Sequence, residues 1–120
     1  MQLEHEAKGK ALVVRIVERT FDAHAAASFR DQIEEVIGEG HHHVVLDLSA
    51  VEFLDSTGLG AIVSTLKRLN GRGTLVLCGL KDSVRNVFRL TRMDRVFTIL
   101  ATDNEAVERV ESLQTETERV

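Results

Sequence analysis

At 120 residues with 43% hydrophobic content, the chain is long enough for one compact core, and its composition excludes a collagen-like, mucin-like or disordered polymer. A formal net charge of -4 and the absence of Trp and Tyr argue against nucleic acid as a partner, because that would require a concentrated positive field and stacking aromatics. There is no basic start followed by an apolar stretch, and no uninterrupted apolar span of about 18 residues, so the expectation is a cytoplasmic protein with no membrane partner.

In chain order, Gln2 to Ala7 and Ala11 to Val17 flank a Lys8-Gly9-Lys10 turn and predict an antiparallel hairpin. After Asp22, the residues Ala26, Phe29, Ile33, Val36 and Ile37 recur at helical spacing with charges between them, which predicts an amphipathic helix ended at Gly38. Val44 to Leu48 is too apolar to have one face in water and predicts a central strand covered on both sides. From Ser56, the apolar positions Leu59, Ile62, Val63, Leu66 and Leu69 mark a second helix, stopped by Asn70-Gly71-Arg72-Gly73.

Thr74 to Cys78 predicts a further strand, and its apolar setting makes Cys78 a buried thiol in a reducing compartment. A third helix is expected from Asp82 to about Thr91, a short strand from Val96 to Leu100, and a fourth helix from Asp103 to about Leu113, with Val107, Val110 and Leu113 inward. Strands alternating with helices after a hairpin imply an α/β fold with a mixed central sheet and about four helices. The whole reads as a single domain over residues 1–113, followed by a frayed tail over 114–120.

The run Asp55-Ser56-Thr57-Gly58-Leu59-Gly60 opens the second helix. Asp55 or Ser56 is available as its N-cap, a purely structural role. Gly58 and Gly60 each disfavour a helix interior by roughly 1 kcal/mol relative to alanine, which suggests that they serve close contact with another protein. The amides and positive dipole of a helix start also suit a phosphate, and a phosphate beside Asp55 would repel a partner surface matched to a neutral hydroxyl.

Val44-Val45-Leu46-Asp47-Leu48-Ser49-Ala50-Val51-Glu52-Phe53-Leu54-Asp55-Ser56-Thr57-Gly58-Leu59-Gly60 resembles the signature of STAS-domain anti-sigma-factor antagonists. The resemblance continues through Gly73 to Leu80, Val84 to Thr91 and Asp94 to Phe97, so it covers nearly the whole chain. It implies a STAS-like fold and phosphorylation of Ser56, rather than Thr57, by an anti-sigma factor that is itself a serine kinase. It further implies that the unmodified protein binds that anti-sigma factor and frees a sigma factor, and that a serine phosphatase restores the unmodified state. The partner-binding residues so implied are Asp22, Asp55, Ser56, Thr57, Gly58, Leu59 and Gly60, with no catalytic, metal or cofactor site. A second role compatible with the resemblance is a STAS regulatory or structural subunit of a larger stress-signalling or lipid-transport assembly. The sequence departs from the family at the corner before the first helix, where Arg19-Thr20-Phe21-Asp22 replaces a Gly-acidic-aliphatic-Asp run. Asp22 matches there and the glycine does not.

Other features have simpler readings. Ser56 lacks a Gly-x-Ser-x-Gly elbow, and every histidine lies upstream of it, which disfavours a hydrolase. His41-His42-His43 enter a strand with alternating directions and no further ligand cluster, so a solvated loop is expected rather than a metal site. No Walker-type phosphate loop is present, although weak nucleotide binding has been suggested for some STAS domains. Arg85, Arg89 and Arg92, joined by Arg95, are spaced to form one basic face, which reads as solvated or as a dock for an acidic partner.

Overall fold

The computed structural model describes residues 2–118. The hairpin forms as expected: β1 (Leu3–Lys8) and β2 (Ala11–Ile16) pair antiparallel, with Lys8 opposite Ala11 across a turn in which Gly9 has a φ of 59°. That left-handed conformation is the one glycine adopts without a Cβ clash. A two-residue strand β3 (Thr20–Phe21) then leads into α1 (Ala23–Gly38). Next come β4 (His43–Asp47), a second two-residue strand β5 (Phe53–Leu54) and α2 (Ser56–Leu69). The chain continues through β6 (Thr74–Cys78), α3 (Asp82–Leu90), a single 3-10 turn (Met93–Arg95), β7 (Thr98–Leu100) and α4 (Asp103–Glu118).

The main sheet has five strands in the order β1-β2-β4-β6-β7, with β4 at its centre, and every pair after the hairpin is parallel. This is the mixed α/β sheet that the sequence implied. Residues alternate across it because successive strand side chains point to opposite faces. One face contributes Leu12, Val14, Val44, Leu46, Leu75 and Leu77 to the principal core, under Phe29, Ile33, Ile62, Val84 and Phe88 from the three preceding helices. The other face contributes Val13, Val45, Val76 and Cys78 to a smaller core, closed by Ala106 and Val110 of α4.

Three details differ from expectation. Val96 lies outside β7 and is 53% exposed, since the 3-10 turn occupies the preceding residues and the chain becomes extended only at Thr98. Leu113 is exposed rather than inward, because α4 has already reached the hairpin turn at Glu111, whose carboxylate accepts the Lys10 amide at 2.7 Å. α4 also runs on to Glu118, five positions past the predicted end, while the last two residues of the predicted frayed tail lie outside the described residues.

The candidate phosphoacceptor corner and its relatives

β3 and β5 are short, but they position the site. They pair in parallel, Thr20 with Phe53 and Phe21 with Leu54, and each is followed by an aspartate and a helix. That register sets Asp22 and Asp55 side by side as N-caps of α1 and α2. Asp22 accepts the Ala25 amide at 3.0 Å, and Asp55 Oδ1 accepts the Gly58 amide at 2.9 Å. Phe21 is fully buried beneath the corner and meets Phe29 edge-on at 5.2 Å between ring centroids. The Asp55 amide donates to the Phe21 carbonyl at 3.3 Å, so the start of α2 is tied to the strand that precedes α1.

The missing family glycine leaves no strain at the corner. Arg19 is not among the residues with positive φ, so nothing there requires glycine. Its carbonyl accepts the Glu52 and Phe53 amides at 2.8 and 3.0 Å, and its guanidinium binds the Glu52 carboxylate at 2.8 Å. The Arg19 hydrogen bond holds the Glu52 carboxyl below its ordinary value, with the charges of Arg19 and then Lys81 adding to the effect. Lys81 approaches the same carboxylate at 3.6 Å, and Ser83 Oγ donates to the Glu52 carbonyl at 2.7 Å, which joins the start of α3 to the corner.

On this frame Ser56 is the first residue of α2. It is exposed, and among the described residues its hydroxyl has no hydrogen-bond partner. The Gly58 amide is already taken by Asp55, and the Leu59 amide donates to the Asp55 carbonyl at 3.0 Å. The open donors of the first turn are therefore the amides of Ser56 and Thr57. Fewer amides are on offer to a phosphate than a bare helix start would provide.

Gly58 corrects the expectation that both glycines of the motif face a partner. It is buried, and a Cβ built there would run into the Phe21 carbonyl oxygen, with Phe21 Cδ1 at 2.7 Å and Leu54 Cδ1 at 2.8 Å. Its small size lets α2 close on β3. Leu59 likewise turns into the core, whereas Thr57 is half-buried. Gly60 is different: a Cβ there would meet only the tip of Arg30, at 3.9 Å, so packing does not demand glycine. Of the seven residues expected to meet a partner, Ser56, Thr57, Gly60, Asp22 and Asp55 have accessible surface, the two aspartates also acting as caps, and Gly58 and Leu59 support the corner from within.

Sequence reasoning missed Phe53. It is 61% exposed, flanked by the Arg19–Glu52 and Lys81–Glu52 ion pairs, and three residues from Ser56. No periodic signal could have found it, since β5 is only two residues long and Val51, two positions earlier, is buried where Phe53 is exposed.

The histidine run lies at the other end of the molecule. His43 opens β4, at the amino end of the strand, and its Nδ1 lies 3.2 Å from Thr74 Oγ1, whereas Ser56 follows the carboxyl end of the same strand. On the far face of the sheet, Arg15 Nε binds Asp47 at 3.0 Å, and Asp103 accepts from Lys8 at 3.2 Å with Arg15 Nη2 at 3.6 Å. This network fastens α4 to the hairpin and the central strand. Lys8 holds the Asp103 carboxyl below its usual range.

A family model described as the STAS domain matches residues 2–106. The chain belongs to the STAS-domain family of anti-sigma-factor antagonists. It is 30% identical over 107 residues to the anti-sigma F factor antagonist of Paenibacillus polymyxa, covering 88% of this chain and 89% of that one. A crystal structure of an anti-sigma factor antagonist from Mycobacterium paratuberculosis superposes with a TM-score of 0.84 at 26% identity, covering 92% of this chain and 93% of the other. The Bacillus antagonist SpoIIAA, at 24% identity, shares the fold in both of its solved states. Its unphosphorylated form gives a TM-score of 0.78 over 92% of this chain and 97% of that one, and its phosphorylated form 0.69 over 91% and 99%.

Proposed function

We propose that this STAS domain is a non-enzymatic, cytoplasmic binding module in a partner-switching pathway, with Ser56 as its phosphoacceptor. In the unmodified state the Ser56 corner binds an anti-sigma factor that is a serine kinase, and a sigma factor is released. Transfer of a phosphoryl group to Ser56 ends that binding, and a serine phosphatase reverses it. The observation that carries this reading is the exposed, unbonded Ser56 hydroxyl on a helix start held rigid by Asp55, Gly58 and Phe21.

The physical basis for switching is charge. A phosphate adds about -1.5 to -2 at pH 7, next to the Asp55 carboxylate; Arg19 and Lys81 are already paired with Glu52, and the Arg30 tip beside Gly60 carries only a single positive charge. A partner matched to a hydroxyl then meets added negative charge.

Incubation with the cognate kinase and ATP should add one phosphate, located at Ser56 by peptide mass spectrometry and absent from Ser56→Ala. By calorimetry, Ser56→Asp should bind the kinase at least about tenfold more weakly than Ser56→Ala, a difference of about 1.4 kcal/mol. Phosphate on Thr57, or equal binding by the two variants, would refute the assignment.

A further inference from the structure

We propose that the corner formed by the end of α3 and the turn after it is a docking surface for an acidic protein segment bearing an apolar side chain, separate from the Ser56 site. Leu90, the last residue of α3, is 85% exposed, and Val96 stands exposed on the far side of the turn. Between and beside them are Arg89, Arg92 and Arg95, all exposed. None of the three has a carboxylate partner among the described residues, which is also true of Arg30, Arg72, Arg85 and Arg109; what sets this corner apart is three such cations within seven residues beside exposed Leu90 and Val96. The one acid in this stretch is Asp94, so the corner is positive on a chain whose formal net charge is -4.

Arg92 supplies the independent observation. It has φ 62° and ψ 17°, the left-handed conformation, and is the only non-glycine residue so placed among the described residues. The position lies two residues past the end of α3, beyond the capping Thr91, where helices commonly take glycine because a Cβ is disfavoured there. An arginine at this position works against the fold, and its guanidinium adds to the positive corner. The apolar residues decide the class of partner. Val84 and Phe88 commit the greasy side of α3 to the core, so Leu90 and Val96 are too little apolar surface to enter a lipid layer. A duplex nucleic acid has no use for an exposed leucine amid the cations. An acidic helix carrying a leucine or similar side chain complements both features.

The test is titration of the isotope-labelled chain with a short synthetic amphipathic helix of glutamate and leucine, followed by amide chemical shifts. Shifts should centre on residues 89–96, and binding should weaken as salt rises through about 0.5 M, where the screening length is only a few ångströms. Arg89→Glu combined with Arg92→Glu should weaken binding about tenfold, and Leu90→Ala severalfold. Ser56→Asp should leave affinity unchanged, so this surface is judged independently of the phosphorylation reading. Arg92→Gly should weaken binding while raising the melting temperature by about 3 °C, a combination that a purely structural residue would not give. Shifts centred elsewhere, full affinity in Arg92→Gly, a lowered melting temperature in that variant, or tighter binding of duplex DNA or anionic vesicles than of the peptide would each overturn the proposal.

Discussion

Replacing Gly58 with alanine sets two effects of opposite sign against each other. Alanine favours a helix over glycine by about 1 kcal/mol. Against this, the new methyl would occupy the place of the Phe21 carbonyl oxygen, and it has Phe21 Cδ1 at 2.7 Å and Leu54 Cδ1 at 2.8 Å on its other sides. The first of these atoms is backbone of β3, so relief requires the start of α2 to move away from the strand. Overpacking of this kind costs about 1–3 kcal/mol, and displacement of the helix start weakens the Asp55 cap, worth about 1 kcal/mol. The net expectation is a loss of about 2 kcal/mol, read as a lower urea midpoint at constant slope. Gly60→Ala is the matched control: its methyl meets only the Arg30 tip at 3.9 Å, so the helix preference is unopposed. It should gain about 0.5–1 kcal/mol. Unchanged or increased stability in Gly58→Ala, or effects of the same sign in the two variants, would refute the close-approach account of Gly58.

Two further outcomes follow from the far face of the sheet. Asp103 is held below its ordinary pKa chiefly by the Lys8 hydrogen bond, so its stabilising contribution is present above the unfolded-state value near pH 4 and is lost as pH falls through the lower folded value. Asp103→Asn should therefore be less stable than the parent at pH 7, by up to about 1 kcal/mol for so accessible a pair, with the gap closing as pH falls through the lowered folded-state value in acid titrations followed by circular dichroism. A gap that widens on acidification would contradict the ion-pair assignment. Burial pushes the Cys78 thiol up to about 12, with the carboxylates of Asp47 and Asp103 adding to the rise. Thiol reagents at pH 8 should label it only at the rate of unfolding, and prompt stoichiometric labelling of the native chain would contradict its placement in the core.

The helices were legible because their signals are local. Ala26 to Ile37 and Leu59 to Leu69 carry the helical period, and Asp22 and Asp55 stand where a cap belongs, so α1, α2 and the position of Ser56 could be read directly. The apolar run at Val44 likewise announced a central strand. What resisted reading depends on distant pairs. Two residues hold no period, so β3 and β5 become visible only when Thr20 meets Phe53 across the fold. Gly58 could not be explained until Phe21 was known to lie against it, and of the two glycines that suggested an outer contact only Gly58 has a packing reason to be glycine. Leu113 carries the inward period of its helix, but the period does not say where the sheet beneath it ends.

The pairing of β3 with β5 bears on how long a signal lasts. In the unmodified chain Asp55, Phe21 and Gly58 fasten the start of α2 to β3 without using the Ser56 hydroxyl, so none of these contacts has to break for Ser56 to be modified. A phosphoserine there would be a static mark rather than the trigger of a motion. In the proposed switch, timing then belongs to the enzymes that write and erase the mark, and the domain works as memory whose retention time is the lifetime of one ester bond.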